Sequence, residues 1–341
     1  MFSSKQSSLR FNLLVVGFVC ILFLLLWVSL FSFSAFSLSP RLSLLALLPS
    51  HFVDDATLSD IGFRIVSDIR LPRALVAALS GSALAAAGVI MQGITNNPLA
   101  SPSVLGISAG AALGMAFVST LAPWMGLFGT NTAALMGGGI VWAVVMLLGS
   151  SWRSGSDHSK LVLAGVAISA LCAALTKAMV ILEEDQATGV FIWLAGSFAD
   201  ARWPAWFHLW PWVLCGSIGA ILISAKLNVL QLGDDYAINL GMSPTRYKIV
   251  GSVLVLVLVA SVVSTAGSLG FVGLLVPHMA RLLVGIDHRK LMPLSMLIGA
   301  CLVVGADILS RAIVFPMETP AGALLALIGA PFFIYLVKRS S

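Results

Sequence analysis

Charged side chains are scarce in this chain. Asp, Glu, Lys and Arg make up only 10% of its 341 residues, against 59% hydrophobic. No water-soluble globular domain has that balance, so a polytopic membrane protein is implied. The cysteines, Cys20, Cys172, Cys215 and Cys301, fall singly inside apolar runs with no CxxC spacing. They are expected as small core residues, with neither a disulfide framework nor a thiolate metal site. The chain has no GxxxxGK[ST] phosphate loop, so any ATP chemistry would belong to a partner. It also lacks an HExxH pair or another nucleophile–base set, which disfavours an intramembrane enzyme; no cofactor is expected. The net charge of +5 comes from Lys and Arg scattered among loops rather than gathered on one face, so no nucleic-acid partner is expected.

What the sequence does contain is a series of apolar runs. A span needs about 20 apolar residues, so the length accommodates about ten with short loops. The first is expected at 11–38, uncleaved because it is too long and lacks a small-x-small site. A second is expected at 71–93, and the rest near 104–121, 131–151, 160–182, 204–225, 249–266, 272–285, 291–314 and 320–337. Residues 39–70 form the longest polar region, with Asp60, Arg64 and Asp68. The reading is one transmembrane domain over 1–341. Ten spans put both termini on one side. Lys5, Arg10, Lys226, Arg246, Lys248, Arg281, Arg289, Lys290, Lys338 and Arg339 weight that side as cytoplasmic. Residues 39–70 would then be periplasmic.

Small residues recur at helical spacing. Gly106, Gly110 and Gly114 form a stripe, and Ala83 and Ala87 a weaker one. Helices in lipid approach closely along such stripes, either within the subunit or at a pathway or subunit interface.

The polar island 226–248, KLNVLQLGDDYAINLGMSPTRYK, separates two long apolar runs and reads as two very short helices. Gly233 can close the first, and Asp234 can accept from the free N–H groups that open the second, which stops at Gly241. Ser243-Pro244 then offers an N-cap with proline at the first helical position. A helix of about two turns cannot sustain itself in water. Its apolar residues Tyr236, Ile238 and Leu240 need a surface, and that surface is expected to be a separate protein that drives a membrane machine.

Four stretches carry a resemblance. They are RLPRALVAALSGSALAAAGVIMQGITNNPLASPSVLGISAGAALG from Arg70, KLVLAGVAISAL from Lys160, LNVLQLGDDYAINLG, and GSLGFVGLLVPHMARLLVGIDHRKLMPLSMLIGACLVVGADILSRAI from Gly267; ETPAGALLALIGAPFFIYLVKR from Glu318 continues it. Over about 70–339 the chain resembles the FecCD family of permeases, the membrane subunits of ABC importers for iron(III)-siderophores, haem and cobalamin. The resemblance implies an ABC type II importer permease fold of about ten transmembrane helices with short cytoplasmic coupling helices. It implies a second permease subunit, identical or paralogous, two cytoplasmic ATP-binding subunits and a periplasmic substrate-binding protein. The NPLASP wording is most similar to the iron(III)-siderophore branch, including ferric citrate, in a bacterial inner membrane.

By the same resemblance, Leu232, Gly233, Asp234, Asp235, Tyr236, Ile238, Leu240 and Gly241 are the ATPase-coupling element. Arg70, Arg73 and Arg311 match arginines that receive glutamates of the binding protein, a contact that suits bidentate guanidinium–carboxylate bonding. Interfacial snorkelling of Arg70 and Arg73, and an i,i+4 pair of Arg311 with Asp307, are the plainer alternatives. His158 and Ser159 align with a cytoplasmic gate, although an ordinary loop would read the same. Lys177, His278 and the tryptophans 203, 206, 210 and 212 are each explained without a substrate: Lys177 by pairing with Glu183, Glu184 and Asp185, His278 by packing, the tryptophans by an interfacial belt. A haem or cobalamin permease, or an ion-coupled secondary transporter, remains the alternative function.

Overall fold

The computed structural model describes residues 2–34, 36, 38–47, 57, 60–148, 158–182 and 193–340. Among them every regular element is helical. In chain order these are α1 (Phe2–Phe31), α2 (Pro40–Leu45), α3 (Ile61–Thr95, with a π turn at Val66–Arg70), α4 (Ile107–Leu121), α5 (Gly126–Leu148) and α6 (His158–Leu182). There follow α7 (Trp203–Leu230), α8 (Asp234–Asn239), α9 (Pro244–Ala266), α10 (Val272–Val284), α11 (His288–Ile313) and α12 (Ala321–Ser340). Among the described residues six helices are long and apolar enough to cross a membrane: α3, α7, α9, α11, and stretches of α1 and α6. Shorter apolar helices stand at Ile107–Leu121, Thr132–Leu148, Val272–Val284 and Ala321–Phe332. This is the all-α polytopic architecture expected, and the number of apolar helices agrees with about ten.

The bundle is built on α3. Its most apolar stretch is 78% buried, against 11% for α1 and 22% for α6, so α3 is the core and the other two are its flanks. The reason lies in its sequence, SGSALAAAGVIMQG, whose small side chains let neighbours reach its backbone. A β-carbon at Gly81 would collide with the Gly299 carbonyl of α11, and one at Gly88 with the Gly273 carbonyl of α10. Lipid tails are as apolar as leucine, so helices in a bilayer gain from close van der Waals fit rather than from the hydrophobic effect. The stripe Gly106–Gly110–Gly114 resolves the same way. Gly110 packs on Gly137 and Gly114 on Ala133, joining α4 to α5, while Gly106 adopts φ +69° to open α4.

The chain departs from its expected spans in two informative ways. Helix begins at Ile61, not 71, because Asp60 accepts from the N–H groups of Gly62 and Phe63 and starts α3 early. The island supplies one short helix rather than two. Leu227 and Leu230 are fully buried, so Lys226–Leu230 is simply the last turn of α7. Of the cysteines, Cys172 and Cys301 are buried as expected, but Cys20 and Cys215 face outward.

Two breaks between helices lead into the bundle. One, 96–106, is exposed over 96–99 and ends in a 3-10 turn at Pro102–Leu105 before α4; the other, 267–271, precedes α10, with positive φ at Gly267 and Phe271. They are tied to the interior: the Pro102 ring packs on Gly273, and Gly267 on the Trp193 carbonyl. Irregular backbone at membrane depth persists only where protein buries it or where it lines a cavity.

Replacing Gly88 by leucine should cost about 3 kcal/mol or more, because the collision is with backbone that cannot step aside. Gly17 has open space around it, and Gly17→Leu should fall within about 0.5 kcal/mol of wild type. Thermal unfolding in detergent, followed by tryptophan fluorescence, reads the contrast; equal melting temperatures would refute the packing account.

Candidate functional site: the two ends of the bundle

At one end three arginines cluster, two of them on the C-terminus of α1. The last carbonyls of a helix have no intrahelical partner and carry the negative end of its dipole. Arg70 donates through Nη1 to the Ser32 carbonyl (2.8 Å) and through Nη2 to that of Phe33 (3.0 Å). Arg311 donates to the Ser29 carbonyl (3.0 Å) and the Ser29 hydroxyl (2.8 Å). It also reaches Asp307 one turn earlier, at 3.3 Å. Arg73 holds two carboxylates. Its Nη2 and Nε meet Asp307 at 2.8 and 3.0 Å, and its Nη1 meets Glu318 at 2.7 Å.

These contacts bring together all three arginines singled out in the sequence, yet not as a row of open guanidinium groups. Arg70, Arg73 and Arg311 are all buried, and each commits its donors to the fold. The exposed member is Glu318, at 36%. Its partnership with Arg73 spans 245 residues, so no local pattern announces it. Trp203 joins the same end, donating to the Ser67 carbonyl at 3.0 Å.

The other end carries α8. Gly233, at φ +103°, turns the chain out of α7 and serves as the N-cap. Asp234 was the expected cap acceptor, but its carboxylate accepts from Lys248 Nζ at 2.6 Å, across the turn into α9. Gly241 at φ +74° stops the helix as expected, with Pro244 opening α9. Ala237 is fully buried against the bundle, whereas Leu232, Tyr236, Ile238 and Leu240 are each 58–67% exposed. An apolar face so exposed, outside the long apolar helices, is what an absent partner would leave.

Beneath α8, four segment ends are laced by polar side chains. Asn96, at φ +49°, closes α3 and donates to the Leu230 carbonyl (3.0 Å). Arg281 of α10 donates to Gln92 of α3 (2.6 Å). Asn228 of α7 donates to Asp287 (2.7 Å) and accepts from the His288 N–H (2.8 Å). Burial pushes the Asp287 carboxyl up, but the Asn228 amide, the Arg289 N–H and the nearby Arg289 and Lys290 charges outweigh it and hold the group below its ordinary value. The α11 cap is therefore ionised at neutral pH. The sequence patterns do not announce Asn228 or the Lys248–Asp234 pair; the asparagines of TNNP and LNV are the only local trace of this lacing. His158 and Ser159 form the first turn of α6; their side chains, like Glu183, Glu184 and Asp185, lie outside the described residues.

Breaking the buried arm of the arginine cluster should be far worse than breaking the exposed one. Asp307→Asn leaves Arg73 and Arg311 short of a charge in a dry site and should cost about 3–5 kcal/mol. Glu318→Gln should cost about 1 kcal/mol or less. Unfolding midpoints of the purified variants give the order, and an equal or reversed order would refute it.

The FecCD transport family profile matches residues 17–339. The Fe(3+) dicitrate transport system permease protein FecC of Escherichia coli is 46% identical, covering 94% of this chain and 95% of its own length. The hemin transport system permease protein HmuU of Yersinia pestis is 38% identical, covering 96% of each. A solved structure of a metal-chelate type ABC transporter, in an inward-facing conformation, superposes with a TM-score of 0.83 at 30% identity, over 95% of this chain and 98% of its own. With the helical bundle and the short helix at its end, these matches establish that the chain belongs to the FecCD transport family.

Proposed function

We propose that the chain is the translocation subunit of an ATP-binding-cassette importer carrying an iron(III)-siderophore, of the ferric citrate type, across the bacterial inner membrane. Both termini and α8 lie in the cytoplasm in this reading. Two ATP-binding subunits dock there, a second permease subunit packs alongside in the bilayer, and a periplasmic binding protein delivers substrate at the arginine end. The chain itself hydrolyses nothing.

The observation that carries this reading is the exposed apolar face of α8. Burying an aliphatic or aromatic side chain of this kind is worth about 1.5–3 kcal/mol. The residues Leu232, Tyr236, Ile238 and Leu240, within and flanking α8, thus offer a partner substantial binding energy over a short stretch of chain. Gly233, Asp235 and Gly241 complete the element, and Asp234 locks it to the foot of α9 through Lys248. Motion imposed on α8 therefore passes to α9 and, through Leu230 and Asn96, to α3. His158 and Ser159, in the first turn of α6, are assigned to a cytoplasmic gate.

Ferric citrate is favoured over haem by the higher identity to the dicitrate permease, 46% against 38%. A cobalamin permease, from a relative also 38% identical, is the other alternative. An ion-coupled secondary transporter would need a titratable acid free to exchange protons. Asp307 is instead engaged by both Arg73 and Arg311.

Docking at the arginine end has a specific form. Arg73 is occupied by Glu318, so a carboxylate of the binding protein reaches it by exchange with that exposed side chain, with Arg70 and Arg311 holding the site in place. Glu318→Gln removes the competitor and should tighten docking about threefold to tenfold. Surface plasmon resonance with the binding protein measures it, and unchanged or weaker binding would remove Arg73 from the interface.

Charge placed on the α8 face tests the engine. Ile238→Glu combined with Leu240→Glu should abolish co-purification of the ATPase subunits and reduce uptake by about tenfold or more. Retained ATPase association and normal uptake would sink the coupling role.

A further inference from the structure

At the α8 end of the bundle, a crevice of about 250 Å³ opens between α1, the end of α10 and the first turn of α11. Arg10 and Phe11 form one wall, Leu283 and Val284 a second, and Lys290 the third. Two cations from opposite ends of the chain thus share one small space, and among its described lining residues none is acidic. Lys290 is also engaged within the protein, and an ammonium with three donors can keep such a partner and still meet an oxygen. The neighbouring acid, Asp287, is committed elsewhere. Its carboxylate accepts from the Asn228 amide (2.7 Å) and the Arg289 N–H (3.0 Å), and it borders the separate cavity lined by Gln92, Asn96 and Arg281. Arg289, the exposed residue before Lys290, adds positive charge nearby.

The surroundings are apolar. Leu9 and Leu13 of α1, and Leu282 and Ile286 beside the α10 wall, are each 62–72% exposed. Helix α1 is a flank of the bundle, with 11% of its most apolar stretch buried, so the crevice lies at the outer edge, where helix ends meet both bilayer and water. A dissolved anion would gain from the two cations but nothing from such a border, whereas an anionic phospholipid uses both. Basic pockets between membrane helices on the cytoplasmic side take anionic headgroups, each nearby Lys or Arg strengthening the attraction. The volume is below the range of about 300–1,000 Å³ that encloses a whole small ligand, so the crevice suits a headgroup whose acyl chains remain outside. We propose that it binds the phosphate headgroup of an anionic phospholipid of the phosphatidylglycerol type. The phosphodiester meets Arg10 and Lys290, and the chains lie over the exposed leucines. The bound lipid bridges α1 to the turn between α10 and α11, which carries the Asp287 cap, and so ties a flanking helix to the amide-laced end beneath α8. The cytoplasmic leaflet is taken from the importer reading above; the lipid ligand goes beyond it.

The full-length chain, purified in neutral detergent, is titrated with phosphatidylglycerol, phosphatidylcholine and glycerol phosphate, and the bound adducts are resolved by native mass spectrometry. Wild type should bind phosphatidylglycerol about tenfold or more tightly than phosphatidylcholine, and glycerol phosphate should not displace it. Arg10→Gln combined with Lys290→Gln should reduce that preference to about twofold or less. The charge-conserving pair Arg10→Lys and Lys290→Arg should keep it, as should Arg246→Gln at an exposed site outside the crevice. If the double glutamine variant does not purify as a folded protein, each single substitution is read instead and should lower the preference about threefold. A wild type without preference, or a preference that survives the glutamine substitutions, overturns the site. Equal loss in Arg246→Gln reduces the effect to diffuse surface charge and overturns it too. Displacement by glycerol phosphate makes the ligand a soluble phosphate and overturns the lipid assignment. Binding is measured without transport, so a failure here leaves the importer reading untouched.

Discussion

Contact between bare backbones governs this protein. At Gly81–Gly299 and Gly88–Gly273 the helices α3, α11 and α10 approach until no side chain fits between them. In a bilayer the hydrophobic effect does not hold helices together, so shape and dispersion must. Once α3 is clasped in this way, the positions of its two termini follow. Arg70 and Arg73 are delivered to one end of the bundle, and Gln92 and Asn96 to the other.

The polar residues obey the same constraint from the opposite direction. A charge inside a bilayer-spanning bundle must find its partners within the protein or at a wet surface. The arginine end solves this with two carboxylates and the terminal carbonyls of α1. Three cations against two acids would leave a surplus, and the helix terminus absorbs it. The α8 end solves it with amides. Asn96, Asn228 and Gln92 each join two segments, so the ends of α3, α7, α10 and α11 form one connected plate beneath the short helix.

Discontinuity is the third consequence. Helices α4 and α10 begin after irregular backbone, and these breaks need either burial or a cavity. The 267–271 break is tucked against Trp193 and Gly196. The start of α4 borders a cavity lined by Ser108, Ala109 and Lys177.

The fold class, the number of apolar helices, the short helix stopped at Gly241 and the exposed character of its apolar face were all legible in the residues. Each depends on local composition and on interactions within a few residues of chain. The pairing of Arg73 with Asp307 and Glu318, the seat of Asp234 on Lys248, and the meeting of Arg10 and Lys290 at one crevice were not. The paired side chains lie from 14 to 245 residues apart. Only the crossing of helices brings them within hydrogen-bond reach. Hydrophobic patterning states which segments enter the membrane; which charge meets which is decided by close packing, because register and rotation between helices are set by side-chain shape and not by hydropathy.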